Sequence, residues 1–547
     1  MRWLQTRLFH YNLPVQTNKS QIPAAFAGIQ GSVMVFSWRG GKVDHFMADP
    51  KQARQLIDEL PANDAKALED ITYWLETINQ TPGFKVDHRF DNVSLLDAAA
   101  KNRVRKLSLD YLSTPRQMKF QENRLWAAIF GFWQQLGRAY LACVDQYDAG
   151  PMGLTIIRRS LPLIVARSLR ALTLQLKWDL LRYGPVEQRI WADIARLYQF
   201  AEKRGFADGA IAVYPGSHGE GTVKGEFLKA MMLTASSTDG LSPMRQEIAE
   251  RAVAHFSGSF RVSKRPDGCT HCFNPAAPKA PVRLFKGAES VAGLCFFGAG
   301  KALGALEELI AKIHQIGEVP ADVNLGGSYH KDLVIGALQH VAMYWAADPP
   351  ARSSERHPTS GRITVVPGFN EVLQALDPST SDELDFSQDK SAESWLVENV
   401  SDGGYGTIIP DVKSDWIQVG TLIGMQSERD SFWTIGLIRR IARDEQNQRH
   451  VGIQTLSRTV IPVRITRAGT TNSSFDVSRE PQSAILLATA PDSKGEVGVL
   501  LREGIFSARD SLEMVMRDKS YFLQPIRLVE GGEDFDWAMF KVTQRHA

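Results

Sequence analysis

Two arginines and, further along the chain, a short polar segment have the side-chain chemistry needed to hold a planar anion. Arg352 and Arg356 stand four residues apart, after the proline-stiffened stretch that begins at Asp348. A guanidinium group is planar, permanently charged and able to bind phosphate or the edge of guanine through paired hydrogen bonds, which lysine cannot do. These two residues therefore predict a clamp for a purine and its phosphate.

The second segment, Asn399-Val-Ser401-Asp-Gly403-Gly404, is typical of a strand that ends in a turn. Side chains alternate along a strand, so Asn399 and Ser401 should share one face while Val400 points the other way. Their amide and hydroxyl can then meet the edge of a base together. Gly403 and Gly404 permit positive φ and a close backbone approach where a larger residue would block a ligand. Either segment alone is more often a solvated surface or an ordinary turn, and it is the ordered pair that favours a ligand site.

The pattern R-x-x-x-R followed by [D/N]-x-S-x-x-G resembles the PilZ domain over roughly residues 345–465. The resemblance implies a small antiparallel β-barrel that binds the bacterial second messenger cyclic di-GMP. It implies that the two arginines grip guanine and phosphate, that Asn399 and Ser401 read guanine, and that Gly404 shapes the turn.

An acidic, polar insert separates the two halves of this pattern by more than the family usually shows. It spans residues 377–393 and contains four carboxylates between Asp382 and Asp389. Because opposite charges attract, we expect these carboxylates to occupy the arginines in the free protein. Deleting residues 379–390 should then tighten nucleotide binding, and unchanged or weaker affinity would contradict this autoinhibition.

Length and composition describe a folded globular protein of several domains. The chain has 547 residues, 44% of them hydrophobic and 23% charged, with a formal charge of +2. This length suggests about three or four domains, and the near-neutral charge indicates no nucleic-acid partner. Four cysteines in so long a chain fit a reducing compartment. With no run of about 18 apolar residues and no signal-peptide pattern, we expect a cytoplasmic protein without membrane insertion.

Hydrophobic periodicity divides the chain into a helical part and two β-rich parts. Asn63 predicts the start of a helix, because Leu68, Ile71, Leu75 and Ile78 then fall on one stripe. We therefore predict a multidomain α+β protein with three parts. Residues 1–344 form a mostly helical scaffold, built as a bundle or short solenoid that presents a protein-binding surface. Residues 345–466 form a PilZ-like antiparallel β-barrel, and residues 475–547 form a second small β-domain with two hairpins.

No complete catalytic or metal-binding pattern accompanies these elements. Cys269, His271 and Cys272 lie close together, but a structural zinc site needs a further ligand pair that the sequence lacks. We therefore expect no metal, no cofactor and no enzymatic activity. The leading hypothesis is a cytoplasmic cyclic di-GMP receptor that couples nucleotide binding to a helical protein-interaction scaffold. The alternative is an adaptor or chaperone-like scaffold whose degenerate barrel docks proteins and binds no nucleotide.

Overall fold

The computed structural model describes most of the chain beyond residue 42. The described residues are 43–115, 118–150, 154–214, 219–285, 287, 289–348, 350, 354–377, 392–409, 416–428, 432–468, 481–488, 490–516 and 519–544. Arg352 and most of the acidic insert lie outside these ranges.

Eleven α-helices, counted over the described residues, precede the first barrel and pack around one continuous apolar core. In chain order they are α1 (Pro50–Asp58), α2 (Asp64–Gln80), α3 (Val86–Ser113), α4 (Lys119–Asp148), α5 (Leu154–Ile157), α6 (Leu161–Leu180), α7 (Gln188–Lys203), α8 (Val223–Ala235), α9 (Pro243–His255), α10 (Ala302–Ile316) and α11 (Lys331–Trp345).

The start of α2 follows the prediction from its sequence. The Asn63 side chain accepts a hydrogen bond from the backbone N–H of Lys66 at 2.9 Å, which satisfies one of the donors that every helix leaves unpaired at its first turn. The four apolar residues of its predicted stripe are all fully buried in the shared core. The prediction of an amphipathic helix here is confirmed.

Charged side chains are also buried inside the helical region. Lys177 on α6 lies 2.5 Å from a carboxylate oxygen of Glu247 and 2.9 Å from one of Glu250, both on α9. The three side chains are only 4 to 7% exposed. Burying a charge is costly unless an opposite charge meets it, so this cluster holds α6 and α9 in a defined register.

A small four-stranded sheet interrupts the helical region between α9 and α10. Its strands are β1 (Arg261–Ser263), β2 (His271–Phe273), β3 (Val282–Arg283) and β4 (Cys295–Gly298), in the order β1-β4-β2-β3. Periodicity does not predict it, because strands of two to four residues are too short to carry an alternating pattern.

The first barrel is a closed, antiparallel sheet of six strands in the order β10-β7-β6-β5-β8-β9. The strands are β5 (His357–Pro367), β6 (Glu393–Ser401), β7 (Gly404–Ile409), β8 (Leu422–Ser427), β9 (Thr434–Arg443) and β10 (Arg449–Ser457), with helix α12 (Phe369–Leu376) after β5. Closure leaves the sheet without an unpaired edge. Its interior is filled by side chains such as Trp395, Ile423 and Ile438.

The second barrel is also closed and antiparallel, with six strands in the order β11-β12-β13-β16-β15-β14. They are β11 (Ile461–Arg467), β12 (Gln482–Leu486), β13 (Glu496–Arg502), β14 (Leu512–Met516), β15 (Lys519–Gly531) and β16 (Phe535–Gln544). The predicted hairpins appear as β12 with β13 and β15 with β16. All but the last residue of β11 falls inside the range predicted for the first barrel, yet β11 pairs with β12 and β14 of the second barrel.

An apolar layer joins the two barrels. Phe369 and Leu373 of α12 pack there with Leu500 and Phe535 of the second barrel. The carboxylate of Asp534 accepts a hydrogen bond from the backbone N–H of Phe369 at 2.6 Å, at the first turn of α12. An acidic side chain at that position also favours the helix dipole. Helix α12 is therefore held by both barrels.

The overall class follows the sequence-based prediction: a helical N-terminal region and two closed β-barrels form a mixed α+β protein. Among the described residues, none of the helices is both long enough and apolar enough to cross a bilayer.

Candidate functional site

Strand pairing brings the two halves of the predicted ligand site together. Strand β5 pairs with β6 so that His357 faces Val400 and Pro358 faces Asn399. Continuing this antiparallel register by one residue aligns Arg356 with Ser401. The residues between Arg356 and Asn399 in the sequence therefore do not keep Arg356 away from the segment Asn399–Gly404. Arg352 itself lies outside the described residues.

A β-bulge turns the polar segment toward the outer surface of the barrel. Trp395 and Val397 face the barrel interior, and the register with β7 shifts between Val397 and Asn399. Beyond this shift Val400 pairs with Tyr405, whose ring packs on the barrel core. Because a bulge adds one residue to one strand, it reverses which side chains point inward. Val400 therefore points inward, and Asn399 and Ser401 on either side of it point outward.

Asn399 and Ser401 consequently share the outer face, opposite to Val400, as strand alternation predicts. Asn399 pairs with Gly406 and Ser401 pairs with Gly404 on the neighbouring strand β7. The Asn399 amide lies directly across Gly406, since a methyl group there would come within 2.6 Å of the amide oxygen. A side chain at Gly406 would therefore displace the Asn399 amide from its position.

The amide oxygen of Asn399 is buried and accepts no hydrogen bond from the described residues. Leaving such an acceptor unpaired costs about 1–3 kcal/mol. An N–H group of a bound base would satisfy it. The hydroxyl of Ser401 donates to the carbonyl oxygen of Gly404 at 3.4 Å, a long hydrogen bond that a ligand could replace.

Gly404 is required by a close backbone approach. A methyl group at this position would lie 1.8 Å from the carbonyl oxygen of Ile453 on strand β10. Gly403, in the turn before β7, accepts a hydrogen bond from the N–H of Thr455 at 2.9 Å. Both glycines therefore bring the β6–β7 turn tightly against β10.

One row of paired residues crosses the outer face of four strands, from Asn399 through Gly406 and Gly452 to Arg440. Gly406 is buried beneath the Asn399 amide, whereas Gly452 is half-buried and carries no side chain, so the surface between that amide and Arg440 is low at Gly452. We call this surface over Gly452, between the Asn399 amide and Arg440, the glycine trough. At about 4.8 Å per strand, the backbone span from Asn399 to Arg440 is roughly 14 Å.

Two exposed arginines beside the polar segment have no ion-pair partner among the described residues. Arg356 lies just before β5, and Arg458 follows β10 and donates to the carbonyl oxygen of Ser401 at 3.4 Å. Both lie where an anion would meet Ser401. Sequence reasoning missed Arg458, because its proximity to Ser401 depends on the pairing of β10 with β7.

Two further arginines on this face, at the Arg440 end of the row, are already paired with carboxylates. Arg439 pairs with Glu530 of the second barrel, and Arg440 pairs with Asp239 in the helical region. Both lie on β9, at the far side of the glycine trough from Asn399. The outer face of the first barrel is thus in direct contact with both of the other modules.

The cysteine and histidine group belongs to the small sheet. Cys272 and His271 lie on β2 and Cys295 lies on β4, with the His271 ring stacked on Phe297. Burial, reinforced by the nearby charge of Arg283, lowers the pKa of His271 to about 4. Within the described ranges no three histidine, cysteine or acidic side chains are grouped so as to hold a metal ion.

Comparison with known proteins identifies two parts of the chain. Residues 51–267 match the family model described as the N-terminal domain of the cyclic-di-GMP receptor FimW, and residues 374–462 match the model of its middle PilZ domain. The second match includes Asn399, Ser401 and Gly404 and begins after the arginines and β5. No curated protein matches the chain. Together the two matches cover more than half of the sequence, so the chain belongs to the PilZ domain family of cyclic di-GMP receptors, with a large helical N-terminal region.

Proposed function

We propose that this receptor binds cyclic di-GMP on the outer face of the first barrel and passes the binding event to its helical region, acting in the cytoplasm as a binding protein and not as an enzyme. Arg352 and Arg356 grip phosphate and guanine, while Asn399 and Ser401 read a guanine edge. The tight turn at Gly403 and Gly404 holds the polar segment in place. The helical region serves as the surface for a protein partner.

The observation that carries the proposal is the register of β5, β6 and β7. It aligns Arg356 with Ser401 and leaves the buried oxygen of Asn399 without a donor on the same face. Guanine supplies N–H donors for such an oxygen, and its O6 and N7 atoms accept from a guanidinium group. The combination of cation, amide and hydroxyl on one face supports the binding of a guanine nucleotide there.

One path that couples ligand binding to the helical region begins at the far side of the glycine trough. Arg440 pairs with Asp239, which lies in a short 3-10 turn between α8 and α9. Close by, the backbone N–H of Arg443 donates to the carbonyl oxygen of Tyr183 at 2.9 Å. A ligand phosphate that reaches Arg440 competes with Asp239, so binding favours a different contact between barrel and helices. A ligand that bound both arrangements of barrel and helices equally well would not shift the equilibrium between them.

A second route runs through the connector that leads to the arginines. The guanidinium of Arg283 donates to the carbonyl oxygens of Tyr344 at 2.8 Å and Ala347 at 3.2 Å. These contacts hold the end of α11 against the small sheet. Arg352 and Arg356 follow this connector in the sequence. Ligand binding by the two arginines therefore acts on a segment whose other end is fixed to the helical region.

Calorimetric titration with cyclic di-GMP tests the binding site. We expect Arg352→Ala, Arg356→Ala and Asn399→Ala each to weaken binding, the arginine variants by about 10- to 150-fold, because a charged hydrogen bond contributes about 1.5–3 kcal/mol. Arg362→Ala is the matched control, because Arg362 is an exposed arginine on β5, the strand that follows Arg356, and its side chain donates a hydrogen bond to the hydroxyl of Ser394 at 3.2 Å. No heat with the unmodified protein would favour the adaptor alternative, and an equal loss in the control would refute the assignment.

The coupling has its own test in Asp239→Asn. If Asp239 competes with the ligand for Arg440, its removal should tighten cyclic di-GMP binding by at most about five-fold, because a partly exposed ion pair contributes about 0.2–1 kcal/mol. Asp208→Asn is the control, since Asp208 pairs with Lys224 within the helical region. Equal affinity in both variants and the unmodified protein would exclude this route.

A further inference from the structure

Three side chains connect the outer face of the first barrel to the second barrel. Arg439 on β9 donates through both terminal nitrogens to the two carboxylate oxygens of Glu530 on β15, each at 2.7 Å. Its remaining nitrogen, Nε, donates to the amide oxygen of Gln454 on β10, also at 2.7 Å. Because all three nitrogens of the guanidinium group donate hydrogen bonds, the group has a fixed orientation, and so do the Glu530 and Gln454 side chains that it contacts.

Gln454 lies in the same cross-strand row as the polar segment. Ser401 pairs with Gly404, and Gly404 pairs with Gln454. Two strand spacings put the backbones of Ser401 and Gln454 roughly 10 Å apart. Gly404 between them is buried against the carbonyl oxygen of Ile453 and carries no side chain, so no side chain projects between Ser401 and Gln454 and a base can lie over this row with one edge at each.

The amide of Gln454 is oriented by the contact with Arg439. Its oxygen is already used, so its nitrogen is the group left to bind a ligand, and that nitrogen has no acceptor among the described residues. Gln454 is exposed. A neutral N–H donor held in a fixed direction suits the O6 or N7 atom of guanine, whereas adenine offers a donor where guanine has O6.

We propose that Gln454 is a further ligand-contacting residue, which donates its amide N–H to the guanine edge opposite Ser401, and that the second barrel positions it through Glu530 and Arg439. The inference rests on the proposed binding of cyclic di-GMP at this face. It gives the second barrel a role in the site: Glu530 acts as a positioning residue, because it reaches the ligand only through Arg439 and Gln454.

Affinity and base selectivity test the contact. Gln454→Ala should weaken cyclic di-GMP binding by about 2- to 12-fold, the effect of one neutral hydrogen bond. The same variant should change the affinity for cyclic di-AMP less, so the preference for guanine over adenine falls. Gln524→Ala is the control, an exposed glutamine on β15 of the second barrel. Melting temperatures of all variants separate loss of contact from loss of fold.

A double-mutant cycle tests the positioning role. Glu530→Gln should weaken binding in the unmodified protein and have little further effect when combined with Gln454→Ala, because both changes act on one contact. A structural role of Glu530 would predict equal losses in both backgrounds, and that result would overturn the positioning role.

The outcomes separate this inference from the proposed function. If cyclic di-GMP gives no heat with the unmodified protein, the proposed function fails and this inference fails with it. If the unmodified protein binds and Arg356→Ala weakens binding while Gln454→Ala binds normally with unchanged selectivity, the inference alone is overturned.

Discussion

Filling the glycine trough with a single methyl group should block the ligand and leave the barrel intact. Gly452 is half-buried on β10, between Gly406 and Arg440 in the cross-strand row. A methyl group there would point outward, and its nearest neighbour would be the β-carbon of Arg440 at 3.3 Å. The barrel needs only a small shift to accommodate Gly452→Ala. A ligand that lies flat in the trough cannot avoid the added group.

The expected loss of binding affinity follows from the free-energy cost of placing an extra methyl group where the ligand already fills the space. Overpacking by one such group costs about 1–3 kcal/mol, which corresponds to binding weakened by about 5- to 150-fold. The unfolding free energy should stay the same or rise slightly, because glycine in a strand interior weakens the strand. Loss of affinity without loss of stability is therefore the expected signature.

Calorimetric titration with cyclic di-GMP and a thermal melt on the same samples measure both quantities. Gly498→Ala is a matched control, since Gly498 lies on a strand of the second barrel and a methyl group there would also have its nearest neighbours at 3.3 Å. If Gly452→Ala binds as tightly as the unmodified protein, the ligand does not lie in the trough. If the control weakens binding equally, the effect is not local to the trough.

Two further predictions concern the helical region and its small sheet. Lys177→Met should lower the unfolding free energy by at most about 3–5 kcal/mol, because it removes the buried cation that Glu247 and Glu250 share and leaves only Arg251 among the described residues, at 2.9 and 3.5 Å, to pair with them. An unchanged urea midpoint would contradict this. Burial and the charge of Arg283 lower the pKa of His271 to about 4. Between pH 6.5 and 4 the imidazole therefore binds a proton in the unfolded chain but not in the folded protein. The unfolding free energy falls as the pH drops through that window, by at most about 3 kcal/mol. His271→Gln should remove this part of the pH dependence in urea unfolding, and identical slopes in both proteins would refute the assignment.

Local features of the sequence predicted much of the architecture. The cap at Asn63 and the apolar stripe behind it depend only on neighbours within a few turns of helix. The hairpins of the second barrel follow from alternation and turn residues. The ordered pair of polar segments indicated a PilZ barrel for the same reason, because each half is a short stretch with its own local chemistry. The family matches confirm that resemblance.

The faces and contacts of these elements depend on distant parts of the chain. The bulge after Val397 decides which β6 side chains face outward, and it is set by pairing with β7. Arg440 meets a carboxylate 201 residues away, and Arg439 meets one 91 residues away. Nothing in the local pattern around either arginine indicates these partners.

The sequence by itself indicated the PilZ family and the helical and β-rich order of the modules, and it predicted which residues would read the base, since these depend on side-chain chemistry and short-range periodicity. Only the tertiary structure decided that Arg356 aligns with Ser401, that a glycine trough runs to Arg440, and that Gln454 is held by the second barrel. Those relations arise when strands far apart in the chain pair and close into barrels, because a register is a property of two strands and cannot be read from one.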